Sequence, residues 1–188
     1  MSGEADPPAE FDRPLTQRDL DHCPDDGNRY ELIEGSLFVS PFQSYAHQQV
    51  ASALTVDLGN FVRDQRLGLV LCAGLKVVLG ESTAVGPDLV YISNQRMGGS
   101  RADGFYGAPD LVVEILGEKP AVDTFVKKNQ YAKAGIPHYW IVDPSRRTLD
   151  AFRLEAGRYH RAASLREEDS FSPELFPGLV IPLGELWP

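Results

Sequence analysis

The chain has 188 residues, 43% of them hydrophobic and 24% charged, with a formal net charge of −9. That is enough chain and apolar content for one domain with a full core. No apolar stretch approaches the roughly 18 residues needed to cross a bilayer, and the acidic start Met1-Ser2-Gly3-Glu4-Ala5-Asp6 has neither the basic nor the apolar region of a secretory leader. A cytoplasmic protein is expected. Cys23 and Cys72 form no closely spaced metal-binding pair and are expected to be two idle thiols.

The acidity is uneven. Residues 1–35 hold ten acids and three bases, whereas residues 119–166 hold ten bases and four acids. A local basic face can bind phosphate on an acidic protein, although exposed charge is most often only a solvated surface.

In chain order, residues 1–14 read as disordered or loosely attached, and 15–188 as a single domain. Residues 16–22 suit a short helix, with Thr16 as N-cap and Asp19 at the capping-box position. Two short strands joined around Glu34-Gly35 follow. In 45–66, Val50, Leu54, Leu58 and Phe61 recur at spacings of three and four, which predicts a helix with one apolar stripe. Residues 69–79 read as a strand or bent strand pair interrupted at Gly74. A strand over 85–93 comes next, then a Gly-rich loop over 94–107.

Residues 108–116 carry the strongest strand signal. A helix over 123–134 ends at Gly135 and Pro137, a strand covers 138–142, and 148–154 with 158–163 form a hairpin. The apolar C-terminal tail is expected to pack on the body. The order suits an α/β fold with a mixed central sheet flanked by helices, an N-terminal helix-hairpin extension and a C-terminal β-hairpin.

Three charges stand out. Asp88, in Gly86-Pro87-Asp88-Leu89-Val90, and Glu114, in Pro109-Asp110-Leu111-Val112-Val113-Glu114-Ile115, are embedded in aliphatic strand sequences. Burying an unpaired carboxylate there is costly, so partners are expected. Residues two apart share a strand face, which puts Asp110, Val112, Glu114 and Leu116 together. On the following helix, Asp123, Lys127 and Tyr131 share a face. Two acids plus a lysine can hold a divalent cation beside a phosphate. No zinc spacing, phosphate-binding glycine loop or nucleophile elbow accompanies them.

The arrangement resembles the PD-(D/E)XK nuclease superfamily and, more narrowly, the Uma family of restriction-endonuclease-like proteins. Four segments in order carry the likeness: Arg29-Tyr30-Glu31-Leu32-Ile33-Glu34-Gly35; Pro87-Asp88-Leu89-Val90; Ala108-Pro109-Asp110-Leu111-Val112-Val113-Glu114-Ile115-Leu116; and Asp123 through Lys127 to Tyr131-Ala132-Lys133-Ala134-Gly135-Ile136-Pro137-His138-Tyr139-Trp140-Ile141-Val142-Asp143-Pro144. The resemblance implies a restriction-endonuclease-like core and a Mg²⁺ (or Mn²⁺)-dependent endonuclease acting on DNA, with Asp88 and Glu114 as metal ligands and Lys127 completing the catalytic set. Leu116 stands where the superfamily usually has its lysine, and Gly117-Glu118-Lys119-Pro120 departs from the family's loop after the second acid.

Supporting roles remain open for four residues. Glu34 matches an acid of the first hairpin. His47 contacts either substrate or Glu34, or else caps the helix. Asp110 is either a third carboxylate or a loop closure. Tyr131 packs the helix on the sheet. Arg146, Arg147 and Lys128 are candidates for nucleic-acid contact. A homodimer is expected, because cutting a duplex needs two sites. The rival expectation is a nuclease-fold protein that binds nucleic acid or a protein partner without cutting. Lys127 is expected to matter for chemistry and little for folding.

Overall fold

The computed structural model describes residues 13–117 and 122–188, so the expectations for residues 1–12 and 118–121 fall outside it. A 3₁₀ turn, Asp19–His22, opens the described chain. Its capping-box bond forms as expected, with the Thr16 N–H donating to Asp19 Oδ2 at 2.7 Å. Strands β1 (Arg29–Ile33) and β2 (Ser36–Ser40) form the first hairpin. Helix α1 spans Tyr45–Asp64, capped by Ser44, whose hydroxyl accepts the His47 N–H. Then come β3 (Gly68–Cys72), β4 (Val77–Gly80), β5 (Thr83–Val85) and β6 (Leu89–Ser93).

The Gly-rich region holds a 3₁₀ turn and the short pair β7 (Ser100–Arg101) and β8 (Gly104–Tyr106). Strand β9 (Leu111–Ile115) is followed by a π-helical turn, Val122–Lys127, and helix α2 (Lys128–Ala134). Gly135 ends α2 with φ of 77°, a left-handed conformation natural to glycine. Strands β10 (His138–Asp143), β11 (Thr148–Glu155) and β12 (Arg158–Arg166) follow, then a short pair, β13 (Ser170–Phe171) with β14 (Ile181–Pro182). Cys23 and Cys72 are free thiols. No helix among the described residues is long and apolar enough to cross a membrane.

The strands make two six-stranded sheets. The central one runs β12-β11-β10-β9-β6-β3 and the second β2-β1-β5-β4-β8-β7. In the central sheet only β9 and β10 are parallel, joined by the crossover through α2; the other neighbours are antiparallel. One expectation is revised. The strand predicted over 85–93 is broken at Gly86-Pro87-Asp88 into β5 and β6, which belong to different sheets. Pro87 has no N–H to give to a ladder, so the chain changes sheets there. The 69–79 pair is likewise divided between the sheets. The N-terminal hairpin is part of the second sheet, with Leu32 pairing Ala84.

Alternation sorts the central sheet's residues onto two faces. Leu111, Val113 and Ile115 join Leu89, Tyr91, Trp140 and Val142 against the α1 stripe of Val50, Leu54 and Leu58. The C-terminal tail completes this layer with Phe176, Leu179, Ile181 and Leu183. On the other face Val90, Ile92, Val112, Tyr139 and Ile141 pack with Tyr131 and Ile136, and with Ile33, Val77, Val85 and Phe105 from the second sheet. Glu114 follows the parity of Val112 and points into this second layer.

Candidate active site

Asp88 sits in the break between β5 and β6, where the chain passes from one sheet to the other. Its carboxylate is 1% exposed. Oδ1 accepts a hydrogen bond from an Arg29 terminal nitrogen at 2.9 Å, and Oδ2 accepts the Ile115 N–H at 2.8 Å. His47 Nε2 lies 3.1 Å from Oδ2. Burial works to raise the Asp88 carboxyl, but the adjacent His47 ring, the Arg29 charge and the Ile115 N–H together hold it below the ordinary carboxylate range.

The N–H that Asp88 takes belongs to the residue after Glu114, so the two acids are tied through one peptide unit. Glu114 is completely buried. Its Oε1 accepts from Lys127 Nζ at 3.1 Å and from the Tyr131 hydroxyl at 2.5 Å. Lys127 and Tyr131 are four residues apart, one helical turn, and so reach the same oxygen. Burial, then the Glu114 charge, raise the Tyr131 hydroxyl well above its ordinary value, so it stays a donor.

Lys127 is also completely buried, and its ammonium lies 2.8 Å from Glu31 Oε1. That oxygen accepts the Gly86 N–H at 2.8 Å. Arg29, on the same strand as Glu31, reaches the Gly86 carbonyl and Asp88. Burial alone would lower the Arg29 guanidinium, but the charges of Glu31, Asp88 and Glu114 outweigh it and raise it above its ordinary value. Three carboxylates (Glu31, Asp88, Glu114) and two cations (Arg29, Lys127) thus form one network under the second sheet, with His47 and Tyr131 at its ends.

The sequence profile of the Uma2 family, described as "Putative restriction endonuclease", matches residues 17–184. The chain belongs to this family. Among solved structures, a protein of Anabaena variabilis described as a "putative nuclease belonging to DUF820" superposes with a TM-score of 0.76 at 19% identity, covering 92% of this chain and 97% of its own. At that identity the likeness establishes a shared fold. A search of curated proteins gave no match.

In this Uma2 chain the structure brings Asp88, Glu114, Lys127, His47 and Tyr131 together and keeps the other candidates apart. Glu34 lies in the β1–β2 turn with φ of 49° and pairs with Lys133 Nζ at 2.5 Å on the surface. That bond, with one from Gln130, lowers its carboxyl. His47 therefore meets Asp88, not Glu34. Asp110 accepts the Ser93 N–H at 2.7 Å and pairs with Arg96 at 3.1 Å. It closes the loop before β9, roughly 13 Å along the strand from Glu114 at four residues' rise, and is not a third carboxylate of the cluster.

Leu116 packs against the second core layer. Lys128 points elsewhere from Lys127, its ammonium 3.5 Å above the Phe152 ring; burial, then the Arg161 charge, lower it. Arg146 and Arg147 are exposed on the turn after β10. Because β9 and β10 run parallel, that turn is at the same end of the sheet as Glu114. The Asp123 side chain and the loop positions 118–120 lie outside the described residues.

Two members of the cluster were not singled out in the sequence, Glu31 and Arg29. Glu31 had a readable signal: it is a carboxylate between Tyr30 and the aliphatic pair Leu32-Ile33, the same pattern that marked Glu114.

Proposed function

We propose that this protein is a Mg²⁺- or Mn²⁺-dependent endonuclease that hydrolyses DNA phosphodiester bonds, acting as a homodimer so that each strand of a duplex meets one site. The observation that supports it most is the buried Lys127 ammonium held between Glu31 and Glu114, a residue whose neighbour's N–H is bound to Asp88. A purely structural core has little use for so many buried charges, since a well-packed apolar substitute is often as stable.

The donor set suits a small hard dication, which takes carboxylate oxygens. Asp88 and Glu114 would hold it, with Glu31 in reserve. As arranged, Arg29 and Lys127 sit on those oxygens, and among the described residues no three His, Cys, Asp or Glu side chains stand grouped for an ion. A bound dication supplies neutralisation of the phosphate's charge and a more acidic water.

The protein's own groups do the rest. Lys127 Nζ donates to the attacking water or to the phosphoryl oxygen where negative charge develops. The Tyr131 hydroxyl fixes Glu114 Oε1, and His47 with the Ile115 N–H fixes Asp88 Oδ2. Burial of the cluster strengthens each of these contacts. Arg146 and Arg147 meet the DNA backbone.

A second reading, a nuclease-fold protein that binds without cutting, is favoured by one observation: both Asp88 oxygens already accept hydrogen bonds from the protein. Incubation of the purified protein with supercoiled plasmid and with single-stranded DNA in Mg²⁺, Mn²⁺ or Ca²⁺ separates the two. The endonuclease reading expects cleavage with Mg²⁺ or Mn²⁺ and none with Ca²⁺. Binding without cleavage in every metal establishes the second reading.

A further inference from the structure

Within the charged cluster, exposure is distributed unequally. Glu31, His47, Asp88, Glu114 and Lys127 are each at most 2% exposed, whereas the Arg29 side chain is 23% exposed. Arg29 is therefore the charged side chain of the cluster that solvent, or a ligand, meets first. One of its terminal nitrogens donates to both Asp88 Oδ1 and the Gly86 carbonyl at 2.9 Å. Its Nε is buried without a hydrogen-bond acceptor among the described residues, with Glu31 Oε2 3.9 Å away. Gly86 makes room for this arrangement, since a Cβ there would come within 3.2 Å of Arg29 Cδ. The guanidinium is thus well bonded on one side and poorly on the other.

We propose that Arg29 is a displaceable internal counter-ion. In the free protein it occupies Asp88 Oδ1 and opposes binding of a divalent cation there, and a DNA phosphate arriving from solvent draws it away. Its flat fork of donors matches phosphate oxygens as well as carboxylate oxygens. Metal and phosphodiester then bind with positive coupling, each making room for the other. Arg29 is a positioning residue for the metal and a direct contact for the phosphate. This inference rests on the metal-dependent reading of the site.

The test is calorimetric titration of Mn²⁺ into the wild type, Arg29→Gln, Arg29→Lys and Asp88→Asn, with and without a short DNA duplex in Ca²⁺-free buffer at low temperature. Without DNA, Arg29→Gln is expected to bind Mn²⁺ about tenfold more tightly than wild type, a coupling of the usual size between linked sites. DNA is expected to tighten Mn²⁺ binding to wild type and to leave Arg29→Gln nearly unchanged. Arg29→Lys, which keeps the charge without the fork, is expected to fall between them.

Loss of Arg29 exposes neighbouring carboxylates to one another and destabilises the fold. Thermal unfolding therefore serves as the second readout: Mn²⁺ should raise Tm more in Arg29→Gln than in wild type, because the dication replaces the missing charge. If wild type binds Mn²⁺ and Asp88→Asn does not, yet Arg29→Gln binds no more tightly than wild type, the inference is overturned and the metal site stands. If no variant binds Mn²⁺ with or without DNA, both fall together.

Discussion

The two faces of the central sheet are built from the same strands and obey opposite rules. Toward α1 and the C-terminal tail, β9 contributes Leu111, Val113 and Ile115 to an apolar layer, in which the one buried polar side chain of α1, His47, meets Asp88. Toward the second sheet it contributes Val112 and, at the end of the strand, Glu114, which is as deeply buried as any of them. Apart from His47, the α1 side needs shape and apolar area. The other side needs a matched set of charges, because each buried carboxylate must find a cation or donor. A one-residue change of parity would move Glu114 from a layer that can hold it to one that cannot.

That contrast can be broken at its source. Val113→Glu places a carboxylate among Leu54, Leu111 and Trp140, where nothing in the apolar layer pairs with it. A cost of several kcal/mol is a large share of a typical stability of about 5–15 kcal/mol, and loss of the folded state by circular dichroism is expected. A cooperative unfolding transition close to that of wild type would show that the α1 side tolerates charge and that the contrast is unreal.

On the charged side, Lys127→Met is expected to act twice. Glu31 and Glu114 lose the ammonium between them, and breaking a buried pair costs about 3–5 kcal/mol. Cleavage should fall by about 10²-fold or more, as for loss of a transition-state donor. The first half revises the sequence expectation that this lysine matters little for folding; its complete burial is the reason. Denaturant melts together with single-turnover rates measure both.

Acid should separate the faces more gently. The Asp88 carboxyl is held below its ordinary value of 3.8, so it binds a proton less readily in the folded state than in the unfolded one. Its contribution to stability is therefore fully present above that value and is lost as pH falls below it toward the folded-state value. The wild type should lose stability through this range more steeply than Asp88→Asn. Parallel pH–Tm curves for the two would mean that Asp88 carries no net stabilisation.

The smallest effect is reserved for the exposed turn after β10. Arg146→Ala with Arg147→Ala should weaken DNA binding and reduce the slope of log affinity against log salt by roughly 1–2, with little change in single-turnover rate. A large rate loss there, measured at saturating DNA, would move chemistry toward the surface and away from the buried cluster.

Much of this organisation was readable in advance, and the misses have physical causes. The α1 stripe, the β9 strand, the α2 stop at Gly135 and Pro137, and the β11–β12 hairpin follow from periodicity and turn chemistry. Asp88 and Glu114 are readable because charge inside an aliphatic sequence is anomalous, and Lys127 through the helix face it shares with Tyr131 and the family resemblance. The second sheet was not, since no local pattern says that a chain broken at Pro87 continues in another layer. Glu34 has the stronger local signal of the two hairpin acids, beside a glycine in the turn, yet it is an exposed partner for Lys133, and the buried acid is Glu31. Arg29 gave no local signal: its role comes from β1 lying beside the Gly86-Pro87-Asp88 break, a long-range pairing visible only in three dimensions.

The central claim is that chemistry takes place at the buried ion cluster. Glu114→Gln tests it most directly, because the amide keeps the shape of the side chain and an oxygen for Tyr131 and Lys127 while removing the charge. Single-turnover cleavage of DNA in Mg²⁺ by folded Glu114→Gln, compared with wild type, is expected to fall by about 10²-fold or more, on the scale of other lost electrostatic contacts to the transition state. Cleavage within about twofold of wild type, under RT·ln 2 in barrier height, would contradict the assignment and place the active site elsewhere.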